Sequence, residues 1–398
     1  MRKLIEKFYS LSSSKRLLTV VVSLIIIATV ATVFSFINLF REVQFLNDEN
    51  SGDSKKLKKI EYIGFENIPT QRNLLYLDDQ TKSAFASWKT LTDFSARFLQ
   101  DGSGSKLYQL SEEVAKHDQE VVSAIRSFNR LEWKYLSVFA SRQVDPIEGG
   151  LVESFRKIRR TAQFLASFHS RFKEKFPGEN SAFIFESALK LARITDLSSP
   201  FLIGKMVSIG VDGIAVKSIL PMIDSGTISS QEAVEMKDAL KNSMAIDCSL
   251  LGALENEFVF FKHFYANLYE RAPLAMWILE IIYGNPISQY QKISKGIYEM
   301  GGTAQKLEFP NYHPLLVMIF PNFQKAKVNY YERLAHKALL ASELANLAGQ
   351  PEILLDPYSE QPLKSLIRDG KAIFYSVGPN KTDNQLQDDD LVLPRKNS

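Results

Sequence analysis

A single cysteine in 398 residues excludes an intrachain disulfide. Histidine is nearly as sparse. His117, His169, His263, His313 and His336 stand apart, none three to five residues from another, so the chain carries no local zinc pair. It also lacks His-Glu-x-x-His, Gly-x-Ser-x-Gly, a Walker loop and a dinucleotide glycine fingerprint, which removes the sequence signatures of several large enzyme classes. With 19 glycines, 15 prolines and 45% hydrophobic residues it is neither collagen-like nor wholly disordered. No period of 20–50 residues repeats, which argues against a solenoid. The net charge of +3 hides a split: Arg2, Lys3, Lys7, Lys15 and Arg16 against Glu6 give +4 in residues 1–16, leaving −1 elsewhere. A basic nucleic-acid surface is therefore not expected.

What is present begins with residues 17–40, LLTVVVSLIIIATVATVFSFINLF, which hold no charge. As a helix this stretch spans ~36 Å, enough to cross a ~30 Å hydrocarbon core once with some tilt. The basic flank precedes it, and Arg41, Glu42, Asp48, Glu49 and Asp53 follow. The positive-inside rule keeps residues 1–16 in the cytoplasm and sends everything after Phe40 outside it. A cleaved signal peptide is the competing reading, with Thr29 and Ala31 at a cleavage site. The apolar run continues well past that site, which favours an uncleaved anchor. A pilin-type leader, with its Gly-Phe-Thr-like junction and nearby Glu, is absent.

Residues 41–80 read as a juxtamembrane linker, polar over NDENSGDSKKLKK at 47–59. Residues 81–349 carry a helical pattern. Helices are expected to about residue 98 from a cap at Asp78 and Asp79, over 107–139, over 151–176, and over 182–194. Another begins at Ser199 and Pro200 and ends or kinks at Pro221. A capping box at Ser229 and Glu232 opens the next, and helical stretches follow over 250–269, 274–283, 287–300 and 314–347. Phe155, Ile158, Phe164 and Phe168 fall on one apolar side, and Trp88, Trp133 and Trp277 read as core. Gly204, Gly210 and Gly213 read as close-packing positions, Cys248 as a buried structural thiol, and Arg156, Lys157, Arg159 and Arg160 as a solvated face. At residues 350–398 the chain changes character. A strand is expected at 371–377, a turn at Gly378, Pro379 and Asn380, and a returning strand at 391–393.

No activated nucleophile or base is visible beside any histidine or serine. The acidic end is the chemically pointed feature. Asp383, Asp388, Asp389 and Asp390 crowd behind the turn, and carboxylates beside turn carbonyls are what an oxygen-ligated calcium ion requires. The plainer reading is a solvated polar end.

Asp356-Pro-Tyr-Ser-Glu-Gln-Pro-Leu363, Ile373-Phe-Tyr-Ser-Val-Gly-Pro-Asn380 and Asp388-Asp-Asp-Leu391 together resemble the C-terminal end of major pseudopilins of type II secretion. The chain is also similar to an uncharacterised family of single-span bacterial membrane proteins common in planctomycete-type genomes, through residues 200–216, 228–230, 253–257, 321–326, 333–335 and the tail. That resemblance implies one N-terminal span, a long helical body and a small β tail. The pseudopilin likeness implies calcium held by the side chains of Asn380, Asp388 and Asp390, with backbone carbonyls near residues 375–377. Asn380 stands where those proteins carry aspartate, which keeps an oxygen ligand and removes a charge.

The expected fold is thus mainly α: a transmembrane helix, a multi-helix extracytoplasmic body and a pseudopilin-like β tail. The expected role is non-catalytic binding, scaffolding or assembly at the cell envelope. Its partners are the lipid bilayer through residues 17–40 and envelope or secretion proteins, with no nucleic acid. The alternatives are an accessory component of a type II secretion or pilus-like system, and a periplasmic hydrolase with a dispersed site.

Overall fold

Apolar runs of helical period recur along the chain beyond residue 78, and a computed structural model folds them as helices. It describes residues 79–101, 108–136, 151–199, 201–247, 249–299, 313, 316, 320–368, 371–387 and 389–394. The expected span at 17–40, the linker as far as residue 78, Cys248 and Asp388 lie outside the described residues.

The helices are α1 (Asp79–Phe98), α2 (Asp118–Asn129), α3 (Leu151–Lys175), α4 (Ala182–Ser198), α5 (Leu202–Asp224), α6 (Ser230–Ala245), α7 (Leu250–Arg271), α8 (Pro273–Tyr283), α9 (Pro286–Glu299) and α10 (Phe320–Leu347). Strands β1 (Leu99–Asp101) and β2 (Tyr108–Leu110) form one short antiparallel pair. Strands β3 (Lys364–Arg368) and β4 (Lys371–Tyr375) form another, with Leu366 opposite Ile373. The fold is mainly helical with a small antiparallel tail.

Two apolar cores organise it. The larger gathers α1 to α6 with the C-terminal half of α10. Its spine is a row of phenylalanines four residues apart, along α3 and just past its end: Phe164, Phe168, Phe172 and Phe176 follow at ring spacings of 6.0, 6.4 and 5.2 Å. The smaller core joins α7, α8 and α9 to the start of α10 through Phe261, Tyr265, Tyr290, Ile293 and Phe323. Helix α10 runs through both.

The structure departs from the sequence expectations at several points. The helix expected over 107–139 is broken into β2, a 3₁₀ turn at Glu112–Lys116, α2 and a second 3₁₀ turn at Trp133–Tyr135. Strand pairing turns the chain back, and the Ser111 amide donates to the Phe98 carbonyl at 2.8 Å. Helix α5 starts at Leu202 rather than at Ser199, after an extended Phe201, and Glu257 of α7 accepts its first amide at 3.0 Å. Pro221 does not end α5, which continues to Asp224. Lys217 and Pro221 are both exposed, so water can serve the carbonyl that proline leaves unbonded. Gly204 is closely packed, a Cβ there falling 2.5 Å from that of Ser199, but Gly210 and Gly213 have open space. Trp88 is core, Trp133 is half-buried with its indole donating to Glu186, and Trp277 is exposed. Of the basic run on α3, Arg160 is not a solvated residue: it donates to the carbonyls of Ser95 and Leu99. In the tail, β4 pairs with β3, and the expected returning strand at 391–393 is a single bridge between Leu391 and Ser376.

Candidate functional site

Helix α5 is long and apolar enough to cross a membrane, yet over half of its most apolar window is buried inside the body. It also carries Lys205 and Asp212, one face apart by two turns, and these place it in the protein core by their partners. Arg193 of α4 donates to Asp196 at 2.8 Å, to Ser208 at 2.9 Å, to Asp212 at 2.5 Å and to Asp247. Lys205 bridges Asp196 at 2.9 Å and Asp247 at 2.7 Å. From α10, Arg333 reaches Asp212 and Asp247, while Lys337 donates to Ser243 at 2.9 Å and to Asp212 at 3.4 Å. Lys205 and Arg333 also lie 5.1 Å from the Tyr330 ring.

Four cations and three carboxylates, none with a side chain more than 5% exposed, therefore knit α4, α5, α10 and the joint after α6. Burial alone would raise the Asp212 pKa, but Arg193, Lys337 and Arg333 outweigh it and hold the carboxyl below its usual range. Asp247 is held well below its range against the same burial, by Arg193, Arg333 and Lys205. Burial pushes Lys337 down to about 7, with Asp212 opposing. Loss of that proton leaves three cations facing three carboxylates.

A second buried group contains a serine and a histidine. His169 Nε2 lies 2.9 Å from Ser181 Oγ, and Ser181 donates to Glu232 at 3.0 Å. Glu232 further accepts from Lys173, from the Ser181 amide and, as the expected capping box, from the Ser229 amide. A hydrolytic triad needs the acid on the far nitrogen of the imidazole. Here the carboxylate sits on the serine side, His169 Nδ1 has no hydrogen-bond partner, and both His169 and Ser181 are fully buried. Burial drives the His169 pKa down to about 3. The group fastens α3, α4 and α6 together.

A cleft of about 500 Å³ lies beside α2 and the end of α3. Much of its charged lining is paired: Asp118 binds Arg171 and Lys175, and Arg126 meets Glu179 at 3.5 Å, while Arg130 also lines it.

The tail is built around Asp356, which sequence reading had placed only within a turn. Its carboxylate accepts from the Tyr358 amide at 3.0 Å, Ser376 Oγ at 2.8 Å and the Val377 amide at 2.9 Å. The Asp-Pro-Tyr turn is thereby clamped to the end of β4. Gly378 follows with φ of 66°, and a Cβ there would sit 2.0 Å from the Asp389 carbonyl oxygen. Ser376 and Leu391 exchange both backbone hydrogen bonds at 2.9 Å, closing residues 378–390 into a loop.

Inside that loop the carboxylates turn to backbone amides. Asp389 accepts from the Asn380 amide at 2.8 Å; Asp390 Oδ2 accepts from Asn384 at 3.1 Å and Leu386 at 2.9 Å. Asp383 takes the Tyr375 hydroxyl at 3.0 Å. Asn380 Oδ1 accepts from the Thr382 amide at 2.6 Å. Asp390 Oδ1 is shielded from solvent and has no hydrogen-bond partner. Partial burial raises the Asp390 pKa, and the neighbouring charges of Asp383 and Asp389 push it further against the two amides. Of the ligands expected from the sequence, Asn380 and Asp390 lie in one loop but serve different amides, and Asp388 lies outside the described residues. Among the described residues no three acidic, histidine or cysteine side chains gather as a metal cage. A calcium ion there would draw on backbone carbonyls and on the orphaned Asp390 oxygen; the Asn380 oxygen retains a second lone pair.

Sequence reading missed the charge cluster altogether. Its one visible signal was Lys205 and Asp212 standing seven residues apart inside an otherwise apolar helix. Comparison with protein-family models, with curated proteins and with solved structures gives no match to this chain.

Proposed function

We propose that this chain is a single-span protein of the bacterial inner membrane whose helical body lies on the extracytoplasmic side and serves in binding, scaffolding or assembly. The observation that carries this reading is the charge-free run at 17–40 behind a flank of +4 charge, joined by a polar linker to a body with cores of its own. The character of the body agrees with it. Its largest group of buried charges is engaged across helices, an arrangement suited to a rigid support. The likeness of the tail to major pseudopilins, with its clamped Asp-Pro-Tyr turn and closed loop, points to assembly within a type II secretion or pilus-like system as the narrower form of this role. A reporter fused after Ser398 should behave as exported, and the full chain should resist alkaline extraction from membranes. Cytoplasmic behaviour of the fusion would reject the reading.

A second reading concerns calcium in the loop closed by Ser376 and Leu391. It is favoured by the partnerless, shielded Asp390 Oδ1 and by the raised pKa that a bound cation would relieve. Asn380, Asp388 and Asp390 are the side chains that would hold it. The ion would neutralise clustered carboxylates and fix the end of the chain. Extracellular calcium modules bind at ~10⁻⁴–10⁻³ M, and the missing charge at Asn380 favours the weak end. Millimolar calcium should raise the melting temperature of the full chain where magnesium does not, and Asp388→Ala with Asp390→Ala should abolish the difference. Equal effects of the two cations would leave the loop a solvated acidic end.

A further inference from the structure

Exposed apolar side chains are scattered over the described surface except at one place. Of the ten large hydrophobics that stand exposed among the described residues, four belong to α8: Leu274, Trp277, Ile281 and Ile282, each more than half exposed. Leu274, Trp277 and Ile281 follow at three- and four-residue steps and share one face. The opposite face of α8 holds it to the body. Met276 is buried in the smaller core, Leu279 packs against that core, and Glu280, the sole charge of α8, turns to Tyr265 and to Asn285 at 2.9 Å. The outward face therefore presents a tryptophan and three aliphatic side chains with no charge among them.

We infer that this face of α8 is a bilayer-contact surface, seated among the headgroups and upper acyl chains of the membrane that anchors the chain. The inference rests on the reading of residues 17–40 as a membrane span. Two observations select lipid as the occupant. Tryptophan flanked by aliphatic residues on a short uncharged helix face matches the chemistry of the membrane interface, where the indole ring lies at headgroup depth. The chain between the span and α1, residues 41–78, reaches at most roughly 130 Å when extended, so the body stays confined near the bilayer at high effective concentration. Even a weak apolar contact is then occupied for much of the time.

The test uses the full chain reconstituted into phosphatidylcholine vesicles, with and without bromine on the acyl chains. Flotation after an alkaline wash is read first, and failure to float overturns the anchor and this inference with it. In floated samples, tryptophan emission is compared between the two lipids. Trp88 is core and Trp133 is tied to Glu186, which leaves Trp277 as the exposed reporter. Brominated lipid should remove roughly a third of the emission, the share of one tryptophan in three, and Trp277→Phe should eliminate that loss. Leu274→Lys with Ile281→Lys should eliminate it too while leaving the helical circular dichroism unchanged. Equal quenching of wild type and Trp277→Phe would overturn the proposal. So would quenching of Trp277 by aqueous iodide in floated samples, or shielding from both quenchers, which would mark a protein partner on this face.

Discussion

Two regions of this molecule withdraw carboxylates from water, and they stabilise them by different means. In the body, Asp196, Asp212 and Asp247 meet guanidinium and ammonium groups brought from three helices. In the tail, Asp356, Asp389 and Asp390 meet backbone amides of the tail segment, and among the described residues no lysine or arginine pairs with them. The first arrangement depends on α4, α5 and α10 all being in place. The second is local and leaves Asp390 Oδ1 without a hydrogen-bond partner. A buried ion cluster thus acts as a lock on the tertiary arrangement, whereas an amide-held acidic loop can respond to its surroundings.

The comparison breaks most visibly at Asp212. Asp212→Ala leaves Arg193, Arg333 and Lys337 buried with one carboxylate fewer, and unfolding in denaturant should show a loss of about 3–5 kcal/mol. Replacing Lys337 sharpens it through pH. Lys337 in the folded protein gives up its proton near 7, whereas an unfolded lysine keeps it to about 10.4. Between those values the unfolded state binds more protons, so stability should rise as pH increases from 7 to 9, by at most about 1.4 kcal/mol per unit. Lys337→Met should flatten that rise and be the more stable protein at pH 7.

The tail should respond more locally. Asp356→Ala removes the acceptor of two amides and a hydroxyl and should cost about 1–3 kcal/mol of tail stability, read as faster hydrogen exchange at Val377 and Tyr358. Helices α4 and α5 should exchange as before. The smallest effect belongs to Lys241, whose half-exposed pair with Glu352 ties α6 to the segment leading into the tail. Lys241→Ala should cost no more than about 1 kcal/mol and fade with salt.

What the sequence revealed follows the same division. The capping box at Ser229, the start of α1 and the course of α3 were legible because caps and apolar periodicity are local. So was the acidic loop behind Gly378, since its residues are neighbours in the chain. The charge cluster was not, because Arg193, Asp212, Asp247 and Arg333 come from segments far apart and only packing unites them. Strand β3 was missed for a related reason: KSLIR is polar and mostly exposed, and its identity as a strand comes from β4. Trp277 misled because apolar periodicity says that a face is covered without saying by what.

The contrast between lock and loop meets its most direct test in hydrogen exchange on the full chain with millimolar calcium, millimolar magnesium or chelator. Calcium alone should slow exchange at residues 376–391 and leave α4, α5 and α10 unchanged. Protection that is absent, that magnesium reproduces, or that spreads through the helices of the ion cluster would contradict the distinction drawn between them.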